Sequence, residues 1–263
     1  MTQGNFDGTV FDDVGQGPPV VLIHGLGLHR GMWSRYPEAL SSTFRVVTYD
    51  ILGHGETVKP PGPYGIGRFT DQLLGLLDHL EIERAALVGF SFGGMINRAF
   101  AIAHADRTSA LGILCTAHDR TDAQRAAVLD RVEQARRSGP AATVGAALER
   151  WFTEPYAAAH PEVLEQIRRW IMANDPDVYP HIYEVMATCD ADLVGPAASI
   201  RCPTLIAACD GDLGNSPEMA RAMGEGIPGA RVETVEGLKH MGLYERPDVF
   251  LALLEPFLAE SLS

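Results

Sequence analysis

The sequence predicts an α/β fold: a mostly parallel, doubly wound sheet with helices on both faces and a helical cap inserted late in the chain. Three observations predict it. Short apolar runs alternate with helical patterns; the alternation stops for a long helical stretch between "SALGILC" and "PTLIAACD"; and "GFSFGG" sets a serine between glycines where a strand gives way to a helix.

In chain order, "GTVFDDVGQG" (Gly8 to Gly17) reads as a strand and turn at an antiparallel edge. Six further runs read as strands: "PVVLIHG" (Pro19 to Gly25), "FRVVTYD" (Phe44 to Asp50), "RAALVGF" (Arg84 to Phe90), "SALGILC" (Ser109 to Cys115), "PTLIAACD" (Pro203 to Asp210) and "ARVETVEG" (Ala230 to Gly237). Most are near-continuously apolar, the pattern of parallel strands covered on both faces. Between the fourth and fifth of these runs, "DAQRAAVLDRVEQARRSG", "AATVGAALERWF" and "PEVLEQIRRWIM" are too apolar and too periodic for a disordered linker. The expected organisation is a core over residues 1–118, a helical cap over 119–195 and the rest of the core over 196–263. The cap is expected over the carboxyl edge of the sheet, where doubly wound folds bind ligands.

At 263 residues the chain is long enough for one large domain with an insertion. Its 21 Lys+Arg against 34 Asp+Glu give a net charge of -13, with no basic run, so a nucleic-acid partner is not expected. The start, "MTQGNFDGTV", lacks a charged n-region and an apolar h-region, and no apolar run approaches the roughly 20 residues that span a bilayer. A cytoplasmic protein without a membrane partner is expected. Cys115, Cys189, Cys202 and Cys209 are scattered without C-x-x-C spacing and read as reduced thiols.

Ser91 sits in G-x-S-x-G between the strand-like "AALV" and the helical "MINRAFAIAHA". That context points to a nucleophile elbow instead of a flexible Gly/Ser loop, because a sharp strand-to-helix turn lifts the hydroxyl out of the sheet edge. Such a serine needs a base, an orienting acid and donors for the oxyanion. The base is expected after the last strand, where "GLKHMGLYERPDVF" supplies His240. The acid is expected after the next-to-last strand: Asp212 is favoured, since Asp210 is placed to end the strand or bond the turn, and Asp119 is a third choice. The backbone N–H groups of Phe92 and Leu26 are the expected oxyanion donors. His24 and His54 read as braces for loops. The other histidines, His29, His79, His104, His118, His160 and His181, lack metal-ligand spacing, so no metal site is expected.

Five motifs in order, "LIHGLG", "YDILGHGET", "GFSFGG", "CDGDLGNSPE" and "KHMGLYERP", resemble the α/β-hydrolase superfamily along essentially the whole chain. Within it, "LERWFTEPY" (Leu148 to Tyr156), "DADLV" (Asp190 to Val194) and "DLGNSPE" look most like 3-oxoadipate enol-lactonases and close relatives. The resemblance implies a Ser-His-Asp hydrolase of a small-molecule lactone, working through an acyl-enzyme with no metal or organic cofactor. Arg150 and Trp151 would meet the substrate from the cap, Arg150 reading a carboxylate. The turn "ILGHGET" lacks an arginine common before the glycine in these lactonases, and "NSPE" stands where prolines are often paired. Both departures leave the substrate open. A carboxylesterase, or a C–C hydrolase of vinylogous 1,5-diketones, would use the same triad; a ligand-binding module with slow hydrolysis is the alternative of a different class.

Overall fold

The computed structural model describes residues 2–263. Eight strands form one sheet: β1 (Thr2–Phe6), β2 (Thr9–Val14), β3 (Pro19–Ile23), β4 (Arg45–Tyr49), β5 (Ala85–Phe90), β6 (Thr108–Leu114), β7 (Thr204–Cys209) and β8 (Arg231–Val235). Their order is β1-β2-β4-β3-β5-β6-β7-β8, with β3 to β8 parallel. The strand expected at the edge, β2, is instead internal, antiparallel to β4 on one side and to β1 on the other. β1 takes the edge because Asp7 (φ 46) and Gly8 (φ 78) close a two-residue hairpin onto Thr9.

Alternation along the strands divides the core between the two faces of the sheet. Val21, Ile23 and Leu87 pack on one face with α2 (Ile66–His79), α3 (Phe92–Ala103) and α9 (Pro217–Gly226). Val20, Leu22 and Val88 pack on the other with α1 (Arg35–Leu40), α10 (Gly242–Glu245) and α11 (Pro247–Ser261). Between β6 and β7 come α4 (Asp122–Ser138), α5 (Ala141–Trp151), α6 (Glu154–Ala159), α7 (Pro161–Met172) and α8 (Tyr179–Thr188). Thr121 starts this insertion with a capping box to Gln124, a local signal that fixes where α4 begins.

The order of the sheet also locates a crevice. From β3 the chain runs outward to β4, then returns to pair β5 against the other edge of β3. The loops leaving the carboxyl ends of β3 and β5 therefore diverge around a switch point, the place where such sheets hold ligands. Leu26 lies on the first loop and Ser91 on the second. Among the described residues no helix is long and apolar enough to cross a membrane.

Candidate active site

Ser91 follows directly on β5 and caps α3 with φ 55 and ψ -113. A serine held at positive φ is strained, and the surroundings hold it there. Its N–H donates to the Leu114 carbonyl at 2.9 Å, and its carbonyl accepts from Gly94 N and Thr116 Oγ1, both at 3.0 Å. The flanking glycines follow from packing: a Cβ on Gly89 would overlap the Gly93 carbonyl, and one on Gly93 would overlap the Ile23 carbonyl of the neighbouring strand. Only backbone fits in this bend. The side chain of Ser91 consequently emerges into a cavity of about 430 Å³.

His240 and Asp212 line the same cavity. Both are buried, and His240 Nδ1 lies 2.6 Å from Asp212 Oδ2. The other carboxylate oxygen accepts the backbone N–H groups of Gly214 and Asn215, each at 3.1 Å. This two- and three-residue return is an Asx turn, and it aims Oδ2 across the loop at the imidazole. Asp210 is engaged elsewhere, accepting Gly237 N at 2.8 Å, and exposed Asp119 is absent from the cavity wall. The rings of Phe90 and Trp151 flank His240 at centroid distances of 4.8 and 5.7 Å. Among the described residues His240 Nε2 has no hydrogen-bond partner, leaving that nitrogen for the cavity.

Of the two expected oxyanion donors, Phe92 is the first residue of α3, so its N–H has no acceptor within the helix. Leu26 N–H likewise donates to no group among the described residues. The Leu26 loop is pinned on both sides of that N–H. His24 donates Nδ1–H to the Gly25 carbonyl at 2.8 Å and accepts Ile51 N–H on Nε2 at 3.0 Å. His54 accepts Gly27 N–H on Nε2 at 2.9 Å and donates to the Leu52 carbonyl at 3.2 Å. Each ring thus gives one hydrogen bond and takes one, as a neutral imidazole must. Burial pushes both pKa values down to about 3, consistent with that state. From the insertion, Asn174 Nδ2 donates to the Gly27 carbonyl at 3.0 Å.

The inserted helices supply the opposite wall. Arg150 and Trp151, at the end of α5, both line the cavity, as does Arg131 of α4, which nothing in the sequence pattern singles out. Arg131 Nε donates to Tyr183 Oη at 3.2 Å. Among the described residues neither guanidinium forms an ion pair. Burial and then the like charge of Arg131 lower the pKa of Arg150, so the two cations sense each other across this wall. Asn215 was also not anticipated: its Nδ2 reaches both oxygens of Asp212 at 3.3 and 3.2 Å. The Asp-x-x-Asn spacing of "DLGN" is the signal that carries it. Arg30 on the Leu26 loop pairs with Asp12 at 2.9 Å and Asp50 at 2.6 Å and ties that loop to the end of β4, a link with no local signature.

Known proteins share this architecture over nearly the full chain. The 3-oxoadipate enol-lactonase 2 of Acinetobacter baylyi is 28% identical over 233 residues, covering 89% of this chain and 85% of its own. The crystal structure of the enol-lactonase from Burkholderia xenovorans superposes with a TM-score of 0.90 at 33% identity, over 98% of this chain and 100% of that one. A thermophilic esterase from Thermogutta terrifontis, solved with malate bound, gives a TM-score of 0.88 at 30% identity, over 97% of this chain and 94% of that one. Residues 20–253 match the Alpha/beta hydrolase family, and the chain belongs to it.

Proposed function

We propose that the chain is a serine hydrolase that cleaves a lactone or other ester of a small molecule through an acyl-enzyme. One observation carries the reading: a serine held at φ 55 on a strand-to-helix turn opens into the cavity lined by a histidine whose far nitrogen lies 2.6 Å from a buried aspartate. Ser91 Oγ attacks the carbonyl carbon while His240 Nε2 takes its proton, and the negative charge of Asp212 stabilises the imidazolium. The N–H groups of Leu26 and Phe92 hold the oxyanion. As the intermediate collapses, the ring or ester C–O bond breaks and His240 returns the proton to the leaving oxygen. Water, deprotonated by the same imidazole, then attacks the acyl carbon and frees Ser91. From an enol-lactone the leaving group becomes a ketone on protonation, which makes ring opening hard to reverse.

The inserted helices act as a cap over this chemistry, and Arg150 and Trp151 contact the substrate. Likeness to two enol-lactonases and an esterase supports an ester-type bond, and the 42% identity over 111 residues to a 2-hydroxy-6-oxo-2,4-heptadienoate hydrolase of Pseudomonas putida makes C–C cleavage the second reading to test. The test is a turnover screen of lactones, linear esters and vinylogous diketones. Activity on the first two groups is expected; activity on diketones alone would overturn the ester assignment, and no turnover of any group would favour a binding module.

A further inference from the structure

The segment that carries Arg150 and Trp151 runs beside the turn that carries His240, and the two are stitched at alternating residues. Lys239 Nζ donates to the Glu149 carbonyl at 3.2 Å, and Met241 N donates to the Trp151 carbonyl at 2.9 Å. The third stitch is of a different kind. Thr153 donates its backbone N–H to Glu245 Oε1 at 2.8 Å and its hydroxyl to Glu245 Oε2 at 2.7 Å. Glu245 is buried, and among the described residues it forms no ion pair. A buried carboxylate is costly unless its oxygens are hydrogen-bonded, and here both are taken by one residue of the insertion, 92 positions away in sequence. The two bonds are charge-assisted and close a fork, so they fix direction as well as distance.

We infer that Glu245 is a positioning residue: by clamping Thr153 it sets the end of α5 against the His240 turn, and so sets where the imidazole stands relative to Ser91. The geometry makes the path short. Met241 is the neighbour of His240 and is bonded to Trp151, whose ring lies 5.7 Å from the imidazole; Thr153 is two residues beyond Trp151. Phe90 also packs beside the imidazole, so the surroundings of His240 are shared between the core and the insertion. Loosening the clamp leaves the Asp212 contact in place but frees the insertion's share.

This inference rests on the reading of His240 as the base, and the experiment separates the two. Thr153→Val removes the hydroxyl donor at nearly constant shape, together with the cap that hydroxyl gives Tyr156 N, and Thr153→Ser restores both. Glu245→Gln replaces one acceptor oxygen by a donor while sparing the α6 cap, and is expected to act in the same direction as Thr153→Val. Hydrogen–deuterium exchange of the Met241 amide reports the stitch without turnover, and a fluorophosphonate counts competent sites so that kcat is expressed per site. In Thr153→Val, Met241 is expected to exchange faster and kcat per site to fall roughly ten- to hundredfold, the scale of a small misplacement of catalytic groups, with little change in KM. Thr153→Ser is expected to recover both to within about twofold of wild type. Unchanged exchange in both Thr153→Val and Glu245→Gln would overturn the clamp. Faster exchange with unchanged kcat per site would overturn the positioning role and leave a purely structural contact. If wild type forms no adduct, it is the serine-hydrolase reading that fails, and the exchange result alone decides the clamp.

Discussion

Replacing Arg150 or Arg131 with glutamine tests what the inserted wall recognises. Both arginines line the cavity without an ion-pair partner among the described residues, in a chain of net charge -13. Glu149 and Asp212 face the same space, but Asp212 is engaged with His240. Two cations without an ion-pair partner on one wall favour an anion that enters. The guanidinium fork matches a carboxylate in particular. A charge-assisted hydrogen bond contributes about 1.5–3 kcal/mol, and the solvent-exposed edge of Arg150 argues for the lower end. About 1.5 kcal/mol is close to tenfold in kcat/KM, the expected loss for each substitution on a carboxylated lactone. On a neutral lactone of similar size the change is expected to stay within about twofold. The assay compares kcat/KM for both substrates in wild type, Arg131→Gln and Arg150→Gln. Equal losses on the two substrates would refute charge recognition and assign the arginines to holding α4, α5 and α8 together.

Two more outcomes follow from the site and its supports. Asp212→Asn is expected to lower kcat by about three orders of magnitude or more while Asp210→Asn and Asp119→Asn stay near wild type, checked by steady-state kinetics and melting curves. Acid stability follows from His24 and His54, whose folded pKa values near 3 lie below the ordinary 6.5. The unfolded chain therefore binds protons that the folded chain refuses, so their contribution is intact above pH 6.5 and is lost as the pH falls toward 3. At pH 5 the loss is about 2 kcal/mol per histidine. Urea unfolding at pH 7.5 and pH 5 measures it, and equal stabilities would show that these rings are not neutral braces.

Legibility in the sequence followed the range of the interactions. The elbow was readable because everything it needs is local: an apolar strand, a helix, and glycines at the two places where a Cβ would meet backbone. Asp212 was separable from Asp210 because a strand end and a loop interior impose different duties on an aspartate. The Asp7-Gly8 hairpin was also written in the sequence, yet the short polar run of β1 hid it, with Phe6 alone packing inward. Other parts have no local trace. Arg131 is one arginine among several on a charged helix, and only the crossing of α4 with α8 turns it toward Tyr183. Glu245 and Thr153 look like an ordinary surface acid and a helix cap until the fold brings them together across 92 residues.

The central claim is that Ser91, activated by His240, forms a covalent acyl-type intermediate. Incubation with a fluorophosphonate followed by peptide mass spectrometry tests it most directly, because the reagent reports an activated hydroxyl whatever ester the site turns over. The account predicts one adduct, on the peptide containing Ser91, lost in Ser91→Ala and formed at least a hundredfold more slowly in His240→Ala, roughly the contribution of general-base catalysis. No adduct on wild type, or labelling that survives Ser91→Ala, would contradict it.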